Sequence, residues 1–135
     1  MTAEISPEIQ SEIEKAYVIW FTTVRADGMP QPTPVWFVWD SGSFLIYTTP
    51  KAQKYRNIQA NAKVALNLDN THEGDHFTVF MGEAIIDSDT PAPTKVPAYI
   101  EKYRQGITDI GMTPESFDAS FSVAIRITPT QVRGE

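Results

Sequence analysis

The spacing of hydrophobic residues changes several times along the chain, and each change marks an element. Ile5, Ile9 and Ile13 recur every four residues while Glu8, Glu12 and Glu14 are left to face water, which predicts an amphipathic helix over residues 5–16. Ser6 suits its N-cap, Pro7 its first position and Glu8 the positive end of its dipole. Residues 17–24 are aromatic or β-branched on both faces, which predicts a strand buried on both sides. Ala26-Asp27-Gly28 forms a tight turn, and residues 35–39 make a second strand. Between them stand Pro30, Pro32 and Pro34. Residues two apart aim their N–H groups at one edge, so this stretch can be extended yet pair on one side only. Such an edge leaves carbonyls for a ligand or guards against edge-to-edge aggregation.

Asp40-Ser41-Gly42 turns the chain into a third strand at 43–49, and a helix follows at 51–61 after Pro50. Val64, Leu66 and Leu68 alternate with smaller residues in a half-buried strand at 63–69. Residues 70–75 form a polar loop, and 76–86 a longer strand in which Gly82 marks a bulge or a close approach. Pro91, Pro93 and Pro97 punctuate a loop before short helices at 98–105 and 114–119, and residues 121–127 close the chain as an alternating strand. Six strands strung as hairpins predict a mainly β architecture, an antiparallel barrel with a few short flanking helices. At 135 residues, without repeats, residues 1–135 form one domain.

With 41% hydrophobic and 21% charged residues, the chain has the balance of a folded globular protein. No apolar run is long enough to span a bilayer and no signal-peptide pattern opens the chain, so a cytoplasmic protein without a membrane partner is expected. The absence of cysteine excludes disulfides, thiolate zinc sites and thiol nucleophiles. A net charge of −6 argues against general nucleic-acid binding. Its distribution says more. No acidic residue lies between Asp40 and Asp69, whereas Lys51, Lys54, Arg56 and Lys63 all do. That stretch is either a cleft of positive potential or a solvated basic helix face.

His72-Glu73-Gly74-Asp75-His76 matches H-E-x-x-H in form, but that zinc chemistry needs both histidines on one face of a helix. Gly-Asp, preceded by Asp69-Asn70-Thr71, predicts a turn instead, so no metal is expected. No G-x-S-x-G elbow, phosphate-binding P-loop or G-x-G-x-x-G is present. The segment from Tyr47 to Asn57 is more suggestive: a strand ends in Thr48 and Thr49, and a helix opens with Lys51 and Lys54. Hydroxyls, free helix N–H groups and a nearby cation suit a phosphate, although an ordinary strand-to-helix junction would look alike.

Thr23-Val24-Arg25-Ala26-Asp27-Gly28, followed by Pro32-Thr33-Pro34-Val35-Trp36-Phe37, resembles the opening of the pyridoxamine 5′-phosphate oxidase-like split-barrel superfamily. Phe44 to Thr49, Gln53-Lys54, Arg56-Asn57-Ile58, Asn61 to Leu66 and Gly82-Glu83-Ala84 continue the likeness in order. Ile107 to Met112 and Ser122 to Pro129 resemble an actinobacterial branch that uses the deazaflavin coenzyme F420. The resemblance implies a six-stranded split barrel and a homodimer with the cofactor at the subunit interface. It sets Pro34, Val35, Trp36 and Phe37 along the flavin or deazaflavin ring, and Thr48 and Thr49 near the ribityl and phosphate. Gln53 and Lys54 would hold the phosphate, with Lys51, Arg56 and Asn57 as further contacts. Trp36, Trp39, Phe77 and Phe80 either pack the core or serve the partner chain.

The resemblance therefore implies an oxidoreductase that passes a hydride between F420, or alternatively FMN, and a small organic acceptor. The chain ends Thr130-Gln131-Val132-Arg133-Gly134-Glu135, without the Arg/His segment that grips vitamin B6 in true pyridoxamine phosphate oxidases, so that substrate is not expected. A flavin or haem carrier without turnover, and a metal-dependent hydrolase through His72 and His76, are the rival readings.

Overall fold

The computed structural model describes residues 2–69 and 76–134. Helix α1 (Pro7–Lys15) precedes strands β1 (Val18–Val24), β2 (Pro30–Trp36), β3 (Val38–Asp40) and β4 (Ser43–Thr48). Helix α2 (Gln53–Ala60), β5 (Lys63–Asp69) and β6 (Phe77–Ile86) follow. After a 3₁₀ turn at Pro93–Lys95 come α3 (Pro97–Asp109), α4 (Pro114–Ser120) and β7 (Val123–Gly134). All seven strands pair antiparallel in the order β2-β1-β5-β6-β7-β4-β3. The two edge strands, β2 and β3, are consecutive in the chain and separated only by Phe37. The curled sheet thus meets itself at that residue, which makes it a split barrel.

Seven strands replace the six expected because the second strand starts earlier and is divided. The proline-spaced stretch is itself paired strand: Pro30, Pro32 and Pro34 stand opposite Val24, Thr22 and Trp20, and among the described residues β2 has no neighbour on its other edge. Beyond it, Phe37 leaves the ladder because α3 takes both of its backbone polar groups. Its N–H donates to the Tyr103 hydroxyl at 2.8 Å, and its carbonyl accepts from Lys102 Nζ at 2.9 Å. The chain then resumes pairing, with β4 instead of β1.

Ile19, Phe21, Phe44, Ile46, Leu66, Phe80, Ile125 and Ile127 fill the barrel, none with exposed surface, and α1 caps it through Ile13. Ser6 caps α1 by accepting from the Ile9 N–H. Glu12, expected to face water, instead accepts from His76 Nε2 at 2.7 Å and so ties α1 to β6. On the outer side of β4, Leu45 and Tyr47 pack beneath α3 and α4 with Tyr99, Tyr103, Ile107 and Phe117. Every position of β4 is consequently buried.

β1 departs from expectation. Ile19, Phe21 and Thr23 point inward and are buried, but Val18 and Trp20 on the outer face are 42% and 44% exposed. Within one chain the strand is therefore covered on one side only.

Candidate functional site

A pocket of about 220 Å³ opens where β2, the end of β4, α2, α3 and α4 converge. Pro34, Val35, Trp36, Thr48 and Lys54 line it, so residues up to 20 positions apart in sequence are brought together. On β2 the residues opposite Ile19, Phe21 and Thr23 turn their hydrogen-bonding groups toward β1. The alternation leaves the carbonyls of Pro32 and Pro34 and the amide of Trp36 along the open edge. The Trp36 indole lies parallel to the Tyr103 ring at 4.6 Å and stacks on Phe117 at 5.7 Å. Gly106 permits that approach: a Cβ there would stand 3.0 Å from the indole.

Lys54 supplies the charge. It sits in the first turn of α2, half-buried, and among the described residues no carboxylate lies in salt-bridge range of it. Burial lowers its pKa, the signature of an ammonium deprived of water and of a counterion. Ala52 gives α2 no side-chain cap, so the helix offers uncapped N–H groups on the same end. Thr48 is buried with no hydrogen bond from its hydroxyl among the described residues. Tyr47, in contrast, is committed: its hydroxyl donates to the Pro91 carbonyl at 2.6 Å, and burial pushes its pKa up to about 12, against the lowering pull of Arg126.

The other expected residues lie elsewhere. The Phe37 ring faces the barrel core beside Phe44. Thr49 is half-buried and Lys51 exposed, both just before α2. Gln53, Arg56 and Asn57 are knitted together: Arg56 donates to Gln53 Oε1 at 2.6 Å and to the Lys51 carbonyl at 2.8 Å, and Gln53 donates to Asn57 Oδ1 at 2.8 Å. Asn57 is buried, and its amide donates to Thr23 Oγ1 and Gln31 Oε1, each at 2.9 Å. It pins α2 to β1 and β2. Gln53 also borders a polar surface hollow with Arg25, Asp27 and Gln31.

Tyr47, Tyr99, Ile110, Phe117 and Phe121 complete the pocket, and sequence reasoning did not place them there. Tyr99 and Tyr103, one helical turn apart, were the available signal, but such spacing reads equally as core. Residues 72–75 of the H-E-x-x-H stretch lie outside the described residues. Among the described residues no group of three or more His, Asp or Glu side chains could hold a metal, and no helix is long and apolar enough to cross a membrane.

The family profile described as pyridoxamine 5′-phosphate oxidase matches residues 5–135. None of the curated protein sequences matches the chain. Among solved structures, one named F420 reductase is 29% identical, with 96% of this chain and 98% of that one aligned and a TM-score of 0.76. A conserved hypothetical protein from Mycobacterium tuberculosis is 21% identical, with coverage of 98% and 85% and a TM-score of 0.77. HutZ, the haem storage protein of Vibrio cholerae, is 17% identical, with coverage of 97% and 94% and a TM-score of 0.66. The last two likenesses concern the fold alone.

Proposed function

Since the chain belongs to the pyridoxamine 5′-phosphate oxidase family, we propose that it is a flavin-type oxidoreductase with its cofactor in the pocket between β2 and α2. The observation that carries this is Lys54, a half-buried cation that, among the described residues, has no carboxylate partner and stands beside an unpaired strand edge and an aromatic wall. Such a site fits an anionic group joined to a flat ring. Lys54 and the Thr48 hydroxyl hold the phosphate end, and Thr49, Lys51, Gln53 and Arg56 border it. The open edge at Pro34, Val35 and Trp36 faces the ring, while Phe37 and Asn57 act indirectly by fixing β2 and α2. A flavin-type cofactor held there would supply hydride exchange with a small organic acceptor, and the protein supplies position and electrostatics.

The deazaflavin F420 is favoured over FMN. Its acidic tail would meet the acid-free stretch carrying Lys51, Lys54, Arg56 and Lys63, and the 29%-identical structure is named F420 reductase.

The proposal includes a homodimer that completes the site. About 220 Å³ is below the roughly 300 Å³ at which pockets enclose whole ligands. The apolar outer face of β1 adjoins the pocket directly, because Trp20 stands opposite Pro34. A second copy packed there would bury Val18 and Trp20 and wall the cofactor.

Titration of cofactor-stripped protein with F420 and with FMN, followed by fluorescence, tests the reading. Selective F420 binding is expected. Selective FMN binding would move the protein to the flavin oxidases and reductases, and binding of neither would remove the redox function.

A further inference from the structure

Four of the chain's five tyrosines and one of its three tryptophans join in a single run of touching rings. Trp36 and Tyr103 lie within 7° of parallel at 4.6 Å, and Tyr17 meets them at 6.2 Å and 5.0 Å. Tyr99 stands 4.8 Å from Tyr103, and Tyr47 5.0 Å from Tyr99. The run has an inner and an outer end. Trp36 lines the pocket, whereas Tyr17, just ahead of β1, has 49% of its surface exposed. In a chain without cysteine, indole and phenol are the side chains that give up a single electron most readily. Rings in contact therefore offer a path for electrons between the pocket and water.

We propose that Trp36 donates an electron to the light-excited flavin or deazaflavin ring, and that Tyr17 refills Trp36 and carries the oxidation to the surface. The inference rests on the cofactor reading above and adds a light-driven one-electron activity that hydride exchange does not need. The proton decides which rings take part. An indole gives an electron and keeps its N–H, but a phenol must shed its proton at the same time. Tyr47 and Tyr99 also line the pocket, yet burial raises the pKa of both, and the Tyr47 hydroxyl is held by the Pro91 carbonyl, which is no base. Tyr103 is buried too, with its pKa raised by that burial and its hydroxyl between the carbonyls of Tyr17 and Phe37. Of the four tyrosines only Tyr17 opens on water. One electron passes from Trp36 to the ring and one from Tyr17 to Trp36, and the Tyr17 proton goes to water. A neutral tyrosyl radical is left at the surface, and a small thiol in solution restores it by giving back a hydrogen atom.

Protein loaded with F420, and separately with FMN, is read by time-resolved cofactor emission and, freeze-quenched under illumination, by electron paramagnetic resonance. Wild type should show emission shorter-lived than that of the free cofactor, together with a tyrosyl signal. Tyr17→Phe keeps the backbone carbonyl to which Tyr103 donates, so fold and cofactor affinity should persist. It should lose the tyrosyl signal and keep the short emission. Trp36→Phe should lose the signal and lengthen the emission, and Tyr99→Phe should change neither. A tyrosyl signal that survives Tyr17→Phe or disappears in Tyr99→Phe would overturn the route. So would emission that is unquenched in wild type or equally short in Trp36→Phe; should that variant not fold, the Tyr17→Phe result decides. Failure of the cofactor reading is seen beforehand, as absent binding of F420 and FMN in the dark, and the proposal falls with it.

Discussion

Tyr103→Phe removes a single oxygen from the place where β2 hands over to β3. Both Tyr103 and Phe37 have no exposed surface. The hydroxyl accepts from the Phe37 N–H at 2.8 Å and has the Tyr17 carbonyl at 2.6 Å and the Phe37 carbonyl at 2.9 Å as acceptors for its one proton. Lys102 already serves the Phe37 carbonyl, so the proton belongs with Tyr17. Removing the oxygen strands a buried N–H, at about 1–3 kcal/mol, and forfeits about 1 kcal/mol more at the Tyr17 carbonyl. The total is about 3 kcal/mol. An unfolding entropy of about 2.1 cal/mol/K per residue over 135 residues is roughly 0.28 kcal/mol/K, so Tm should fall by about 10 °C. Thermal melts by circular dichroism measure the drop, and hydrogen exchange at the Phe37 amide should accelerate. Tyr99→Phe, one turn away on the same helix, is the control and should lie within about 0.5 kcal/mol of wild type. A loss below about 1 kcal/mol for Tyr103→Phe, with exchange at Phe37 unchanged, would refute the account of the strand switch.

Asn57→Ala deprives buried Thr23, and Gln31, of a partner and should cost about 2–3 kcal/mol in urea unfolding. Lys102, half-buried over the Phe37 ring, has its pKa lowered by that burial to about 8. Its unfolded value is higher, so between about pH 8 and 10 the unfolded chain holds more protons and stability should rise with pH. Unfolding at pH 7 and pH 9.5 should show that rise in the wild type and a smaller one in Lys102→Met. Trp20→Arg places a charge on the exposed face of β1, so under the proposed dimer light scattering should report a monomer and cofactor affinity should fall.

Much of the fold was legible in the sequence because its local signals agree with tertiary demand. The four-residue spacing of isoleucines marked α1, and β5 has the bounds that its alternation predicts. The prolines marked an edge strand because only an edge tolerates three missing donors. What escaped depends on distant partners. The break at Phe37 is made by Tyr103, 66 residues later. The helix expected at 98–105 runs on as α3 to Asp109, through Gly106, where a Cβ would meet Trp36 and Tyr17. β7 continues past Pro129 to Gly134 through the irregularity at Met81/Gly82, where a Cβ on Gly82 would stand 2.6 Å from the Thr128 carbonyl. At the candidate site, the β2 edge and Lys54 were visible as local motifs. The α3 and α4 wall was not, because aromatic residues lining a pocket have the same pattern as aromatic residues filling a core.

The central claim is that Lys54 meets the cofactor's phosphate, and a thermodynamic cycle tests it most directly. Wild-type and Lys54→Ala protein are each titrated with F420 and with its phosphate-free riboflavin-like core, and with FMN and riboflavin in parallel. The account predicts that the substitution weakens the phosphate-bearing ligand by about 1.5–3 kcal/mol more than its phosphate-free counterpart, the value of a hydrogen bond to a charged group. Equal weakening of both, or none, would contradict it.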